Sequence, residues 1–260
     1  MMRRPFIASV SGKGGSGKTV LTALLTKILI ERETDDEILI VDGDPATNLP
    51  EVLGVELRKT IGEVVEEFRR SFHDQSASVS YRKDTLLEYL IMRDCLAELD
   101  RFDFIAMGRG EGEGCYCFVN SLLIGILSKL IHNYTVVLMD MEAGLEHISR
   151  RTDRYVNNML IVVDPSMMSF RTAERIKEVA IEVGLKVNSI YIVGNRIPQI
   201  KMERLYSWSR EQGFEVAGIV PYDALIEEFN TRGIPLLKLP SNTAAVEAVR
   251  SIAKRISLID

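Results

Sequence analysis

Cysteine is scarce in this chain, and its scarcity limits the compartment and the chemistry that the sequence fits. Only three cysteines occur among 260 residues, and an odd number cannot all pair in disulfides. The amino-terminal residues are basic, but the apolar run that follows is short and is interrupted by Ser9 and Ser11, unlike a secretion signal. We therefore expect a cytoplasmic protein, in which neighbouring cysteines more often serve metal or redox chemistry than a structural disulfide.

Long hydrophobic runs and a strong excess of positive charge are missing as well. No apolar run approaches the ~20 residues that a membrane-spanning helix needs. Asp and Glu number 37 against 32 Lys and Arg, which gives a net charge of −5. Because an anionic chain is a poor general binder of nucleic acid, we expect neither a nucleic acid nor a membrane among its partners.

Short apolar runs alternate with amphipathic stretches along the chain. Most of these runs are continuously apolar, which is typical of strands buried on both faces of a parallel sheet. The alternation predicts one α/β domain over residues 1–260, with a mostly parallel sheet and helices on both faces. The segment Arg58–Asp103 offers no obvious strand. The predicted strands are Phe6–Val10, Ile38–Val41, Phe104–Met107, Thr135–Met139, Leu160–Val163, Ile190–Val193 and Val216–Val220.

A glycine-rich sequence, GKGGSGKT, lies between the first predicted strand and the first predicted helix. It fits the phosphate-loop pattern, in which backbone N–H groups and a helix N-terminus surround phosphate oxygens. In that pattern Lys18 reaches the β- and γ-phosphates, and the hydroxyl of Thr19 binds Mg²⁺. The sequence therefore predicts an ATP or ADP site on one continuous segment. Its residues are Gly12, Lys13, Gly14, Gly15, Ser16, Gly17, Lys18, Thr19 and Val20.

Aspartates follow two other predicted strands. Asp42 and Asp44 come after the second strand, and Asp140 comes after the strand that begins at Thr135. Because ligands of open α/β sheets bind at the carboxyl ends of the strands, these side chains can hold Mg²⁺ or orient the attacking water. A single aspartate at such a place is more often a helix cap or a turn residue, and the neighbouring phosphate loop is what favours the metal.

Lys13, beside the first glycine of the loop, has two interpretations. It is either a solvated surface lysine or a cation that points towards the nucleotide of a second subunit in a two-fold dimer. The second interpretation makes it a catalytic residue supplied in trans.

The segments KGGSGKT, DGDPATN and DMEAG together resemble the deviant phosphate-loop ATPases of the MinD/ParA and nitrogenase iron-protein superclass. The resemblance covers nearly the whole chain and implies a sheet of seven or eight strands and an ATP-dependent homodimer. It implies a catalytic set in which Lys13 crosses the interface, Lys18 binds phosphate and Asp44 positions water, with Asp140 in the second switch segment. It also implies base-binding residues after two late strands, namely Asn195, Arg196, Pro221 and Tyr222.

The run GEGEGCYCFVN places two cysteines one residue apart. Cys115 and Cys117 are too close for an unstrained disulfide, and their position at the start of a predicted helix favours thiolates. Tetrahedral zinc and square-planar nickel take four ligands, so a two-fold dimer would supply the missing pair of sulfurs. Two small buried thiols that cap a helix are the structural alternative. Cys95 lies on a helical pattern and is predicted to be a core thiol.

The longer run GRGEGEGCYCFVN resembles the metal loop of the CooC-type carbon monoxide dehydrogenase maturation ATPases. That resemblance implies an ATPase that delivers nickel to carbon monoxide dehydrogenase or acetyl-CoA synthase, with Ni²⁺ or Zn²⁺ held by cysteines of two subunits. The alternatives are a MinD- or ParA-like positioning ATPase and an electron carrier like the nitrogenase iron protein. The carboxyl-terminal helical pattern contains small alanines, which favours core packing over membrane binding. Residues Glu142–Arg154 contain no cysteine for an iron–sulfur cluster.

Overall fold

The computed structural model of the chain describes residues 4–72, 80–109, 125, 129–141 and 155–260. Eight strands form one sheet in the order β3-β4-β2-β5-β1-β6-β7-β8. All neighbouring strands are parallel except β3 and β4. The strands are β1 (Phe6–Gly12), β2 (Ile38–Asp42), β3 (Ala97–Glu98), β4 (Asp103–Ala106), β5 (Val136–Asp140), β6 (Tyr155–Val163), β7 (Lys186–Asn195) and β8 (Glu215–Val220).

The mostly parallel sheet with helices on both faces confirms the predicted fold class. All seven predicted strands are present. The eighth, β3, lies inside the segment Arg58–Asp103, and its two residues are too few to leave a periodic pattern. The helices are α1 (Lys18–Ile30), α2 (Leu49–Leu53), α3 (Ile61–Phe72), α4 (Ser80–Asp94), α5 (Met167–Glu182), α6 (Gln199–Glu211), α7 (Ala224–Thr231) and α8 (Ala244–Arg255), with a 3₁₀ turn at Leu236–Lys238.

Alternate residues of the strands supply the cores on the two faces of the sheet. In β2, Ile38 and Ile40 pack in the core that includes α1 and α8, whereas Leu39 and Val41 pack in the core that includes α3 and α4. A third cluster joins β6 and β7 to α5 and α6. Because both faces are covered, each of these strands has to be apolar throughout, which explains the continuous runs in the sequence.

Strands β6 and β7 begin several residues earlier than the sequence predicts. The first half of β6 contains two asparagines that interrupt its apolar run. Asn157 accepts a hydrogen bond from the N–H of Ile7 at 2.8 Å, and Asn158 donates to the carbonyl of Ile256 at 2.6 Å. These asparagines bond to the neighbouring backbone and interrupt the apolar pattern, so the sequence did not reveal the start of β6.

The carboxyl-terminal helix α8 packs against the sheet, as its small alanines predict. Val246, Val249 and Ile252 are at most 1% exposed. Within the described ranges, no helix is both long enough and apolar enough to cross a membrane.

Candidate functional site

The glycine-rich loop joins the carboxyl end of β1 to the start of α1, as the motif predicts. Two positions of the loop require glycine because a side chain there would collide with neighbouring atoms. A Cβ at Gly12 would lie 2.5 Å from the carbonyl oxygen of Val162, and one at Gly17 would lie 2.1 Å from Nδ2 of Asn195. Gly17 has a φ of 102° and caps α1 without a side-chain hydrogen bond, so the first N–H groups of the helix point into the loop with no capping side chain. Such a helix start is suited to a phosphate.

A cavity of about 880 Å³ opens between this loop and the carboxyl ends of β2, β7 and β8. Its size falls within the roughly 300–1,000 Å³ typical of small-molecule sites. The cavity brings together most residues that the sequence assigns to the nucleotide, and both predicted base-binding segments line it together with the loop. These residues are Gly14, Gly15, Gly17, Lys18, Thr19, Val20, Asp44, Asn195, Arg196, Pro221 and Tyr222. Gly12, Lys13 and Ser16 are not among its lining residues.

The segment after β7 is bonded directly to the loop. Nδ2 of Asn195 donates to the carbonyl of Ser16 at 2.7 Å, and the guanidinium of Arg196 donates to the carbonyl of Gly15 at 3.0 Å. Arg196 adopts a φ of 53°, a left-handed conformation that is uncommon for a residue with a side chain. The family resemblance implies that both residues bind the nucleotide base. The structure adds that both donate hydrogen bonds to the backbone of the glycine-rich loop.

The far wall of the cavity comes from residues that the sequence did not single out. Glu51 and Val52 of α2 line it, as do Phe229 and Asn230 of α7. The Tyr222 hydroxyl, on the same wall, is hydrogen-bonded to Glu227. No local motif marks these positions, because they reach the cavity only through the packing of distant segments.

Asp42 is fully buried and holds the loop that follows β2. One carboxylate oxygen accepts from the N–H of Asp44 at 3.0 Å and the other from the N–H of Leu49 at 3.1 Å. Burial raises the pKa of Asp42 to about 7, and the charges of Asp140 and Asp44 also raise it, while the two N–H donors lower it. The two carboxylate oxygens are thus already used by backbone donors, which favours an indirect contact with a metal.

Asp140 lies opposite Asp42 in the register of β2 and β5 and is 1% exposed. Among the described residues, neither of its oxygens has a hydrogen-bond partner. Burial raises its pKa to about 6; the nearby Thr19 hydroxyl, outside hydrogen-bond geometry, and the Lys18 ammonium lower it. A buried carboxylate without donors is costly. A cation beside Thr19 would satisfy it, and the oxygen donors suit Mg²⁺.

Replacing Asp140 with asparagine should stabilise the metal-free protein at high pH. A carboxyl whose pKa is raised from 3.8 to about 6 destabilises the fold progressively as pH rises through that window. At pH 8 the free energy of unfolding of the Asp140→Asn variant should therefore be about 3 kcal/mol higher than that of the wild type, and at pH 4 the two should agree to within about 1 kcal/mol. Urea unfolding in EDTA at both pH values measures the difference. The exposed Asp100→Asn exchange is the control, and a less stable Asp140→Asn protein at pH 8 would contradict the argument.

Lys13 is paired within its own chain. Its Nζ lies 3.5 Å from Oδ2 of Asp164, with the Lys13 side chain 38% exposed. Asp164 follows β6 directly, and its pKa is lowered by the N–H and hydroxyl of Ser166 and by Lys13, against a rise from burial. Sequence reasoning missed Asp164, although it has the signal used for Asp42 and Asp140, an aspartate at the end of an apolar strand.

The predicted metal ligands Cys115 and Cys117 lie outside the described residues, as do Glu142–Arg154. The described ranges contain no cluster of three or more His, Cys, Asp or Glu side chains that could hold a metal. Cys95 is buried at 1% exposure, and burial raises its pKa to about 12. That environment keeps it a neutral thiol, in agreement with its prediction as a core residue.

Comparison with known proteins identifies relatives that share this architecture. The family model of the CobQ/CobB/MinD/ParA nucleotide binding domain matches residues 7–236. An uncharacterized ATP-binding protein of Methanocaldococcus jannaschii is 41% identical over 252 residues, covering 96% of this chain and 98% of the relative. The carbon monoxide dehydrogenase accessory protein CooC of Rhodospirillum rubrum is 26% identical over 238 residues, covering 87% of each. The septum site-determining protein MinD of Pyrococcus horikoshii, complexed with Mg-ADP, superposes with a TM-score of 0.66 at 22% identity, covering 97% of this chain and 95% of that one.

Proposed function

The chain belongs to the CobQ/CobB/MinD/ParA nucleotide-binding family, and from that premise we propose that it is a magnesium-dependent ATPase that inserts nickel during maturation of carbon monoxide dehydrogenase or acetyl-CoA synthase. The observation that carries the ATPase part is the cavity in which the glycine-rich loop meets Asp44 and the segments after β7 and β8. The nickel part is supported by the cysteine pair and by the likeness to CooC.

The residues of the loop have separate tasks in this proposal. Lys18, 6% exposed, binds the β- and γ-phosphates, and the N–H groups at the start of α1 bind phosphate oxygens. Thr19 and Asp140 would hold Mg²⁺, with Asp42 acting through water, and a metal there would neutralise charge on the phosphates. The adenine lies between the Asn195–Arg196 segment and the segment of Pro221 and Tyr222.

Hydrolysis depends on Asp44 and on a second subunit. Asp44 orients a water molecule whose oxygen attacks the γ-phosphorus while the bond to the β-γ bridging oxygen breaks, which leaves ADP and phosphate. Lys13 of the other subunit stabilises the negative charge that develops on these oxygens. To reach that subunit, Lys13 exchanges its contact with Asp164 for the phosphates. The exchange is cheap because partly exposed ion pairs contribute only about 0–1 kcal/mol.

The same dimer is proposed to create the metal site. Cys115 and Cys117 of two chains supply four sulfurs for one Ni²⁺ ion, or for Zn²⁺ in its place. ATP favours the closed dimer that binds the ion, and hydrolysis opens it so that the ion passes to the client enzyme. Metal affinity and nucleotide state are then linked through the dimer equilibrium.

The Asp44→Asn exchange tests the assignment of the attacking water. The amide oxygen keeps the hydrogen bond that Asp44 Oδ1 accepts from the N–H of Ala46 at 2.9 Å, so the loop keeps its shape. We expect ATP affinity within about threefold of the wild type and hydrolysis slower by about 100-fold or more. Phosphate release and equilibrium binding of labelled ATP measure the two quantities. Rapid turnover in Asp44→Asn, with the exposed Asp100→Asn exchange as the reference, would remove Asp44 from the mechanism.

A positioning ATPase of the MinD or ParA kind is the second candidate, favoured by the similarity of the fold to MinD. Such an ATPase uses the same nucleotide site, but its nucleotide state controls binding to a partner that is not a metal enzyme. Nickel binding discriminates the two, because a positioning ATPase has no need of a stoichiometric ion.

A further inference from the structure

A second cavity of about 570 Å³ lies next to the nucleotide cavity, at the same edge of the sheet. It forms where the loop after β2, the N-terminus of α3 and the residues after β4 meet, and Thr47, Thr60, Gly108 and Arg109 belong to its wall. The proposed catalytic residues are not among its lining residues. Its lining is mostly charged, in contrast to a typical small-molecule pocket.

Four cations and three carboxylates line this second cavity, and the carboxylates are already engaged. Glu67 pairs with Lys59 at 2.5 Å and Glu66 with Arg70 at 3.2 Å. Glu63 accepts two hydrogen bonds from Thr60, from its N–H at 2.7 Å and from its hydroxyl at 2.9 Å. The remaining cations are Arg58 and Arg109.

Arg58 and Arg109 are exposed, and within the described ranges neither makes an ion pair or a hydrogen bond. Arg58 acts on Asp94 only through its charge, and Asp94 is held by Arg93 at 2.7 Å. In a chain of net charge −5, the cavity thus presents two guanidinium groups that have no partner among the described residues. Guanidinium groups bind carboxylates in a planar, two-point geometry.

Close contacts join the walls that carry these arginines. The N–H of Gly62 donates to the carbonyl of Met107 at 2.8 Å, which ties the start of α3 to the end of β4. Gly108 has a φ of 66°, and a Cβ there would lie 2.4 Å from Oγ1 of Thr60. Gly108 therefore packs closely against Thr60 and places Arg109 near the residues that follow Arg58, so a ligand would meet a largely preformed site.

The loop after β2 forms a wall shared by both cavities. Asp44, Ala46 and Asn48 line the nucleotide cavity, whereas Thr47 lines the second one. Thr47 adopts a φ of 51°, which is rare for a β-branched residue, and its N–H donates to the carbonyl of Asp44 at 2.9 Å. A ligand in either cavity therefore touches the same short segment, which is the physical route for coupling between them.

We propose that the second cavity is the docking site for a carboxylate-rich segment of a protein partner, bound by Arg58 and Arg109. A peptide fits the mixed lining better than a free polyanion, because Glu63, Glu66 and Glu67 repel a compact charge, whereas spaced carboxylates can reach the two arginines between them. Arg109 also directly precedes the run with Cys115 and Cys117 in sequence. Docking itself is independent of the metal chemistry; its coupling to nucleotide, and the partner's identity as a client enzyme, rest on the proposed function.

A fluorescein-labelled hexaglutamate peptide tests the docking site by fluorescence anisotropy at about 0.05 M salt, where surface charges are weakly screened. The full chain with Arg58→Ala and Arg109→Ala should bind the peptide at least about tenfold more weakly than the wild type. The matched control is Arg171→Ala with Arg210→Ala, which removes two exposed arginines from α5 and α6 and should change the affinity by less than about twofold. Thermal unfolding confirms that both variants are folded.

Two results would overturn the docking site, and a third would remove its coupling to the nucleotide. Equal losses in the two double variants would show that the peptide responds only to net charge. Displacement of the peptide by inorganic phosphate at an equal concentration of charge would show a small-anion site. An unchanged peptide affinity when ATP is added to Asp44→Asn protein that demonstrably binds ATP would remove the coupling, for which we expect a change of at least about threefold. If ATP itself failed to bind, the proposed function would fail, while the peptide titration without nucleotide would still decide the docking site.

Discussion

We expect ATP hydrolysis to fall by about 1,000-fold or more when Lys18 is replaced with alanine, while the protein still folds. The ammonium is 6% exposed at the start of α1, where it faces the phosphate loop and the buried Asp140. Its removal deletes the charge that we propose binds the transferred phosphoryl group, and preorganised charges at a reacting group are worth several kcal/mol. The fold tolerates the loss because Asp140, whose pKa is already about 6, can become neutral.

Lys27 provides a matched control for this experiment on the same helix. It is 5% exposed, but it donates to the carbonyl of Leu237 at 3.1 Å and pairs with Glu31 at 2.6 Å, away from the loop. Lys27→Ala should lower the melting temperature and keep ATP turnover. Lys18→Ala should keep the protein folded and lose ATP turnover. Steady-state phosphate release and thermal unfolding separate the two outcomes, and wild-type turnover in Lys18→Ala protein would refute the assignment of the loop.

The second large effect concerns the metal. A chain with Cys115→Ser and Cys117→Ser should lose bound nickel altogether, because hydroxyl groups replace all four proposed sulfur ligands of a dimer. The wild type should hold about one ion per two chains, as four-ligand coordination by two sulfurs from each chain requires. Equilibrium dialysis followed by elemental analysis measures the ratio.

The third cysteine is the internal control for that experiment. Cys95 is buried between helices and strands with its pKa raised to about 12, so it is a poor thiolate ligand. Cys95→Ala should weaken packing and retain the ion. Nickel that persists in the double serine variant, or that disappears with Cys95→Ala, would move the site away from the cysteine run.

The sheet was predictable from the sequence because burial on both faces forces its strands to be apolar. Residues such as Ile38 and Leu39 serve opposite cores, so the run has no polar interruption. The same reasoning failed where polar side chains form hydrogen bonds with backbone groups, as Asn157 and Asn158 do in β6. It also failed for β3, whose place at the edge of the sheet depends on its pairing with β4.

The glycine-rich loop of the candidate site was predictable from the sequence. The other parts of the site were predictable only in part. Lys18 and Thr19 lie on one continuous motif whose geometry follows from glycine and a helix start. Asp42 and Asp140 look alike in sequence, yet one is held by two backbone donors and the other has none among the described residues. That difference arises from loop geometry, which strand-end position does not encode. The cavity lined by Arg58 and Arg109 joins segments about fifty residues apart, and only the fold brings them together.

Native mass spectrometry of the Asp44→Asn protein with ATP, Mg²⁺ and one nickel ion per two chains tests the central claim directly. The account predicts a species of two chains, two nucleotides and one nickel ion, which reverts to metal-free protein when Cys115 and Cys117 are also serine. A nucleotide-loaded protein that stays monomeric, or a dimer that never takes up the ion, would contradict it.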